Sequence, residues 1–189
     1  MKLHVEKLCK SYGGRAVLKD VTFTAGNGVL EIAAPSGGGK TTLLHILLGL
    51  ERADSGWITG AEDCRWSAVF QEDRLLERLD AAGNLRFVLG GLPAAAGKML
   101  DRLGLDLGDP KPVQDYSGGM KRRLALARAL LAPSDILALD EPFTGLDPEA
   151  LARCLSLIQE AAETKPVLLA AHGFGGGFPV FQIPTLETA

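Results

Sequence analysis

VLEIAAPSGGGKTTLLHILLGL, from Val29 to Leu50, decides the fold. VLEIAA is an apolar run of strand length. PSGGGK is a glycine-rich turn. TTLLHILLGL carries its leucines at helical spacing, with Gly49 as a stop. A strand that passes through glycines into a helix gathers backbone N–H groups and the helix's partial positive charge around one point. That arrangement cradles an anion of the phosphate type. Ser36, Gly37, Gly38, Gly39, Lys40, Thr41 and Thr42 are the candidate binding residues. Lys40 would reach the β and γ phosphates of a nucleotide, and Thr41 would place its hydroxyl on Mg2+. The competing reading, a glycine-rich turn with a surface lysine, ignores the flanking strand and helix. The pattern G-x-x-x-x-G-K-[ST] has Ala34 in its first position here. If that position needs a positive φ, alanine costs about 1 kcal/mol; if it is extended, it costs little.

Further strands follow the same grammar. DILALD (Asp135 to Asp140) and KPVLLAAH (Lys165 to His172) read as buried strands, and Asp147-Pro148-Glu149 opens the helix between them. Strand, loop, helix and strand in alternation predict an α/β chain with a mostly parallel sheet covered by helices on both faces. LHVEKL and DVTFTA alternate, so residues 1 to about 30 are expected to form a β-rich part closed by a turn at Gly26-Asn27-Gly28. GWIT and SAVF are short strand candidates. From about residue 72 to 131 the texture is helical and rich in Leu and Ala, punctuated by glycines, and predicts a helical subdomain insert. GFGGGF (Gly173 to Phe178) reads as a flexible loop. No internal repeat is visible.

Length fits one domain: 189 residues. A net charge of −3 leaves no broad cationic field to hold nucleic acid or a membrane surface. The run Lys121-Arg122-Arg123 reads as a solvated helix face. Cys9, Cys64 and Cys154 are odd in number and widely spaced, which argues against a disulfide framework or a zinc site. Met1-Lys2 leads into LHVEKL, so no secretory leader is expected. No apolar stretch approaches the roughly 18 to 20 residues a membrane helix needs.

The remaining candidates are acids, an amide and a histidine at strand ends. Asp140 closes an apolar strand at the edge where parallel sheets bind ligands, and suits Mg2+. Glu141, one residue on, is placed to orient or deprotonate an attacking water. An acidic turn before Pro142 is the plainer alternative. Gln71 ends the SAVF strand and would contact metal or water, or be only a polar strand end. His172 ends the third buried strand and would hydrogen-bond a γ-phosphate, although a lone strand-end histidine is more often structural. Ser117-Gly118-Gly119 opens an amphipathic helix, as an N-cap, an anion site or both.

In their order these motifs resemble the ATP-binding subunit of ABC transporters, a P-loop NTPase fold, over most of the chain. PSGGGKTT looks like Walker A and ILALDE like Walker B. YSGGM (Tyr116 to Met120) looks like the signature sequence, and VFQED carries the Q-loop glutamine, Gln71. TGLD, with Asp147, looks like the D-loop, and His172 like the switch histidine. Tyr12 matches the aromatic that stacks on adenine. The resemblance implies ATP and Mg2+ as ligands, with Thr41, Gln71 and Asp140 at the metal. It implies catalytic roles for Glu141, Gln71 and His172. It also implies a homodimer or heterodimer of two such subunits around two ATPs, in which Ser117, Gly118 and Gly119 act on the partner's ATP. A membrane permease and, for importers, a solute-binding protein are the further expected partners, with the chain cytoplasmic and peripheral on the inner face of the cell membrane. VFQEDRLL further resembles the nitrate, sulfonate and taurine importers.

Three departures set up a second reading, a nucleotide-binding or regulatory module that does not hydrolyse. Ala34 replaces a glycine, Met120 replaces the usual signature glutamine, and the sequence stops soon after His172, where the family continues through a further helix and strand. A third reading, a soluble ABC-type protein of ribosomes or DNA repair, expects two cassettes or a long coiled-coil insertion, and this sequence has neither.

Overall fold

The computed structural model describes residues 2–171 and 177–185. β1 (Leu3–Tyr12) and β2 (Arg15–Ala25) form an antiparallel hairpin. Its two turn residues, Gly13 and Gly14, have φ of 56° and 81°, the backbone a tight hairpin with the strands' own twist requires. β3 (Gly28–Ala33) leads through the glycine loop into α1 (Lys40–Leu47). β4 (Ser55–Thr59) then returns to pair antiparallel with β1, and β5 (Trp66–Val69) joins the sheet of β3 at its far edge. α2 (Ala81–Leu89), α3 (Ala96–Arg102) and α4 (Gly118–Leu131) follow. β6 (Ile136–Asp140), α5 (Pro148–Ala162), β7 (Pro166–Ala170) and β8 (Val180–Gln182) complete the chain.

Two sheets result. One is antiparallel with order β2-β1-β4; the other has order β5-β6-β7-β3-β8 and every pairing in it is parallel. The expected parallel sheet is therefore present. The β-rich part is not confined to the first thirty residues, because β4 supplies its third strand. β8 is an addition: only three residues long, it pairs with the side of β3 away from β7. The Phe181 ring lies 4.8 Å from that of Phe23, joining β8 to the antiparallel sheet. Of the predicted GFGGGF loop, residues 173–176 lie outside the described residues.

β6 and β7 are buried along their whole length. Successive side chains point to opposite faces, so each strand feeds two cores. Leu137, Leu139, Val167 and Leu169 pack with Leu124, Leu157 and Ile158 of α4 and α5. Ala138, Leu168 and Ala170 pack with Leu43, Leu44 and Leu47 of α1 and with Leu8, Val21 and Phe23 of the antiparallel sheet. Each fully buried leucine contributes about 1.5–3 kcal/mol. This burial holds α1, which has Gly39 at its N-cap, no capping side chain and no acid in its first turn. Better caps start the other long helices. Ser117 accepts from the Met120 N–H at 3.2 Å, and Asp147 from the Ala150 N–H at 2.8 Å with Pro148 in the first turn.

Helix in the 72–131 stretch is confined to α2, α3, α4 and a single 3-10 turn, Val113–Asp115. The irregular segment before α2 is held by Asn84, which is 1% exposed. Its Oδ1 accepts from the Leu76 N–H at 2.8 Å, and its Nδ2 donates to the carbonyls of Leu76 and Asp80 at 3.1 and 3.0 Å. Asn84→Leu keeps the volume and removes these bonds, along with a longer one to the Leu79 carbonyl at 3.4 Å. It is expected to lower stability by about 2–4 kcal/mol, read as a lower urea midpoint at unchanged slope.

Candidate functional site

The carboxyl ends of β3, β5 and β6 lie on one edge of the parallel sheet, where such sheets take ligands. β3 delivers the glycine loop. The Gly38 N–H donates to the Pro35 carbonyl at 2.9 Å, and Gly37 and Gly39 adopt φ of 72° and 90°. Lys40 is buried, and its Nζ donates to the Ala34 carbonyl at 3.0 Å, across the loop it belongs to. Ala34 is not among the residues with positive φ, so alanine costs little backbone strain there. The compensation lies at Gly38, where a Cβ would come within 2.8 Å of the Ala34 Cβ and 2.9 Å of the Pro35 carbonyl oxygen.

The predicted residues converge around this loop. Gly37 to Thr42, Gln71 and Glu141 line one cleft of about 160 Å³. Thr41, Gln71 and Asp140 line an adjoining one of about 180 Å³, together with His45, Phe70 and Arg74. Asp140 is 3% exposed, and neither of its carboxylate oxygens has a hydrogen-bond partner. Burial pushes its pKa up and Glu141 adds to this; Thr41, beside it without an aligned hydrogen bond, pulls the other way. Two unpaired buried oxygens beside a hydroxyl and an amide fit a hard divalent cation. Among the described residues no three His, Cys, Asp or Glu side chains cluster. A cation here would therefore take phosphate or water oxygens as well. Glu141 has φ of 50° and donates its N–H to the Ala170 carbonyl at 2.7 Å. A left-handed glutamate is uncommon, and such strain gathers at functional positions.

Ser117, Gly118, Gly119 and Asp147 meet in a different cleft, of about 430 Å³, with Asp73, Arg122 and Arg123. Its lining shares no residue with the two clefts around Lys40. Tyr12 lines none of these clefts. Its ring is about half exposed, with the Lys10 Nζ 4.9 Å from its centroid and Lys10 bonded to Glu51 at 2.7 Å. Across the hairpin turn Tyr12 pairs with Arg15, which lines a further cleft beside Ser36 and Gly37. His172 lies outside the described residues.

One sequence reading needs correction. Lys121-Arg122-Arg123 is not a solvated face: Arg122 is buried, and its guanidinium donates to the carbonyls of Phe70 and Gln71, both at 2.7 Å. Arg123 donates to the carbonyls of Leu103 and Gly104 at 2.6 and 3.0 Å. His45, which sequence reasoning missed, lines the cleft that holds Asp140. Its position one turn beyond Thr41 on α1 was the available signal.

A model of the ABC transporter family matches residues 18–144. The chain belongs to the ABC transporter family. It is 33% identical over 183 residues to a lantibiotic transport ATP-binding protein, SrtF, of Streptococcus pyogenes, covering 90% of this chain and 80% of that one. It is 35% identical over 191 residues to a taurine import ATP-binding protein, TauB, of Pseudomonas putida, covering 90% and 72%. This ABC chain spans 48% to 59% of the length of several other import relatives. A putative ABC transporter ATP-binding protein from Pyrococcus furiosus superimposes with a TM-score of 0.86 over 97% of this chain and 98% of that one; at 23% identity it speaks for the fold. The P-loop NTPase fold and the family resemblance are thus borne out, and the chain is an ABC ATP-binding subunit. Sulfonate and taurine importers are among its relatives, beside molybdenum, sulfate and iron importers.

The contact between Ala34 and Gly38 makes a coupled prediction. Gly38→Ala is expected to lower stability by about 1–3 kcal/mol and to weaken ATP binding. Adding Ala34→Gly should restore part of both, since it removes the Cβ–Cβ conflict and leaves the Pro35 carbonyl. Urea unfolding and ATP titration of the two single variants and the double variant read this non-additivity.

Proposed function

We propose that this chain binds and hydrolyses ATP and so drives a separate membrane permease. The observation that carries the reading is the convergence of Lys40, Thr41, Gln71, Asp140 and Glu141 at one sheet edge. The loop N–H groups and the start of α1 hold the phosphates, and Lys40 balances their charge. Thr41, Asp140 and Gln71 would hold Mg2+. When bound, that ion supplies neutralisation of charge on the transferring phosphoryl group. Glu141 orients the attacking water and draws off its proton. Its left-handed backbone turns it out of the strand direction that Asp140 follows. His172 takes the γ-phosphate and Tyr12 the adenine.

The separate cleft of Ser117, Gly118, Gly119 and Asp147 supports a paired arrangement. Two such subunits, identical or different, enclose two ATPs, each presenting this cleft to the other's nucleotide. The whole chain acts as one ATP-binding domain, with its β-rich and helical parts as subdomains. No helix among the described residues is long and apolar enough to cross a membrane. The chain would therefore sit on the inner face of the cell membrane through its permease, and with a solute-binding protein if it serves an importer. The features behind a non-hydrolysing module carry less weight against this geometry. Ala34 is unstrained, and Met120 gives its backbone N–H to Ser117 as any residue there would.

Glu141→Gln should keep ATP binding and lower turnover by about 100-fold or more, because the base is lost and the cradle is intact. Lys40→Ala should weaken ATP binding itself. Phosphate release and ATP titration, on the purified chain and with its permease, measure the two effects. Undiminished turnover in Glu141→Gln would sink the hydrolytic assignment.

A further inference from the structure

Tyr12 closes β1 outside the clefts around Lys40, with about half of its surface open. One face of its ring is taken: the Lys10 Nζ sits over it, 4.9 Å from the centroid. Lys10 is itself buried, which is rare for a lysine. Its ammonium donates to Glu51 Oε1 at 2.7 Å and to the Arg52 carbonyl at 2.8 Å, and lies 3.8 Å from Asp54 Oδ1. The hydrogen bond from Lys10 draws the Glu51 carboxyl below its ordinary pKa, and the Tyr12 side chain adds to this. The same loop fixes the backbone on both sides of Lys10. The Ser11 N–H donates to Asp54 Oδ2 at 2.7 Å, and the Asp54 N–H to the Cys9 carbonyl at 2.9 Å. The loop in turn is tied to the end of α1, where the N–H groups of Leu50 and Glu51 donate to the His45 carbonyl at 2.9 and 3.3 Å. Eight residues and roughly 12 Å long, α1 thus runs from Lys40 to the loop that holds Lys10.

We propose that Lys10 is a positioning residue for the nucleotide base: clamped by Glu51 and the Arg52 carbonyl, it backs the Tyr12 ring so that the opposite face is presented to adenine. This rests on the reading of Tyr12 as the adenine partner. A tyrosine at a strand end turns about two side-chain bonds, and a base that stacks on it must first stop that motion. The ammonium stops it beforehand, attracted to one face of the ring while leaving the other free. Lys10 is suited to this because a carboxylate and a carbonyl already remove its own freedom. The clamp also hangs from the end of the helix whose start carries Lys40, so the places for base and phosphates are set by one rigid element.

The test is a double-variant cycle, read by ATP titration of the full chain with Mg2+. Tyr12→Ala is expected to weaken ATP binding about 10-fold, the loss of one stacked base. Lys10→Met keeps the side chain long and removes its charge; alone it should weaken binding about threefold. In the Tyr12→Ala background it should weaken binding no further, because no ring is left to position. A lysine that only stabilises the fold would add its loss in both backgrounds. That additive result overturns the proposal, as does full affinity in Lys10→Met; both leave Tyr12 as the adenine partner. Glu51→Gln loosens Lys10 and leaves it in place. It carries the same expectation in both backgrounds and decides the question if Lys10→Met does not fold. Full affinity in Tyr12→Ala overturns the adenine reading of Tyr12 and this proposal with it, and leaves phosphate binding at Lys40 standing. Absence of any ATP binding by the parent overturns the ATP-binding reading as a whole.

Discussion

The structure depends on the burial of β6 and β7 from both sides. A strand covered on both faces must satisfy its backbone within the sheet and its side chains in two separate cores. Leu137 and Leu139 face one core and Ala138 the other; Val167 and Leu169 alternate in the same way with Leu168 and Ala170. A slip of one residue would exchange every side chain between cores of different shape. The register is therefore tightly set, and with it the position of Asp140, opposite Ala170 at the strand's last pairing. The site's accuracy is inherited from the packing beneath it.

Against that stable frame the edge is unfavourable in itself. Asp140 has two buried oxygens without hydrogen-bond partners, Glu141 has a left-handed backbone, and α1 begins on a glycine with no side-chain cap. Each would be a defect in a purely structural protein. Together they set cation-seeking oxygens on one side and anion-seeking N–H groups on the other. A nucleotide with its metal would satisfy both at once, which a simple anion or a simple cation would not. This complementarity is a stronger argument than any one motif.

Much of this was legible because its causes are local. The glycine loop, the stop at Gly49, and the caps Ser117 and Asp147 depend on neighbours within a few residues, and the chain shows them directly. What could not be read is non-local. Arg122 meets the Phe70 carbonyl 52 residues away, and Lys-Arg-Arg on a helix carries no sign of that partner. Asn84 looks like any polar helix residue until the irregular segment folds over it. β8 is short and takes its strand character from the edge it completes, β3; GWIT was legible as a strand, but not as the partner of β1 that β4 becomes. Propensity is weakest where tertiary pairing decides.

The arginines add a last step. Long cations are rarely buried, and withdrawing one from water is costly unless every donor finds an acceptor. Arg122 meets that cost with backbone carbonyls, groups that cannot be protonated or titrated away, so its grip is insensitive to pH. Asp73 is the exception: burial pushes its carboxyl up even with Arg122 and Arg128 nearby. The carbonyls of Phe70, Gln71, Asp73 and Arg74 are all held in this way by Arg122 and Arg128, so the backbone of the segment is fixed at both ends and only the Asp73 carboxylate is left to an ion pair without an aligned hydrogen bond.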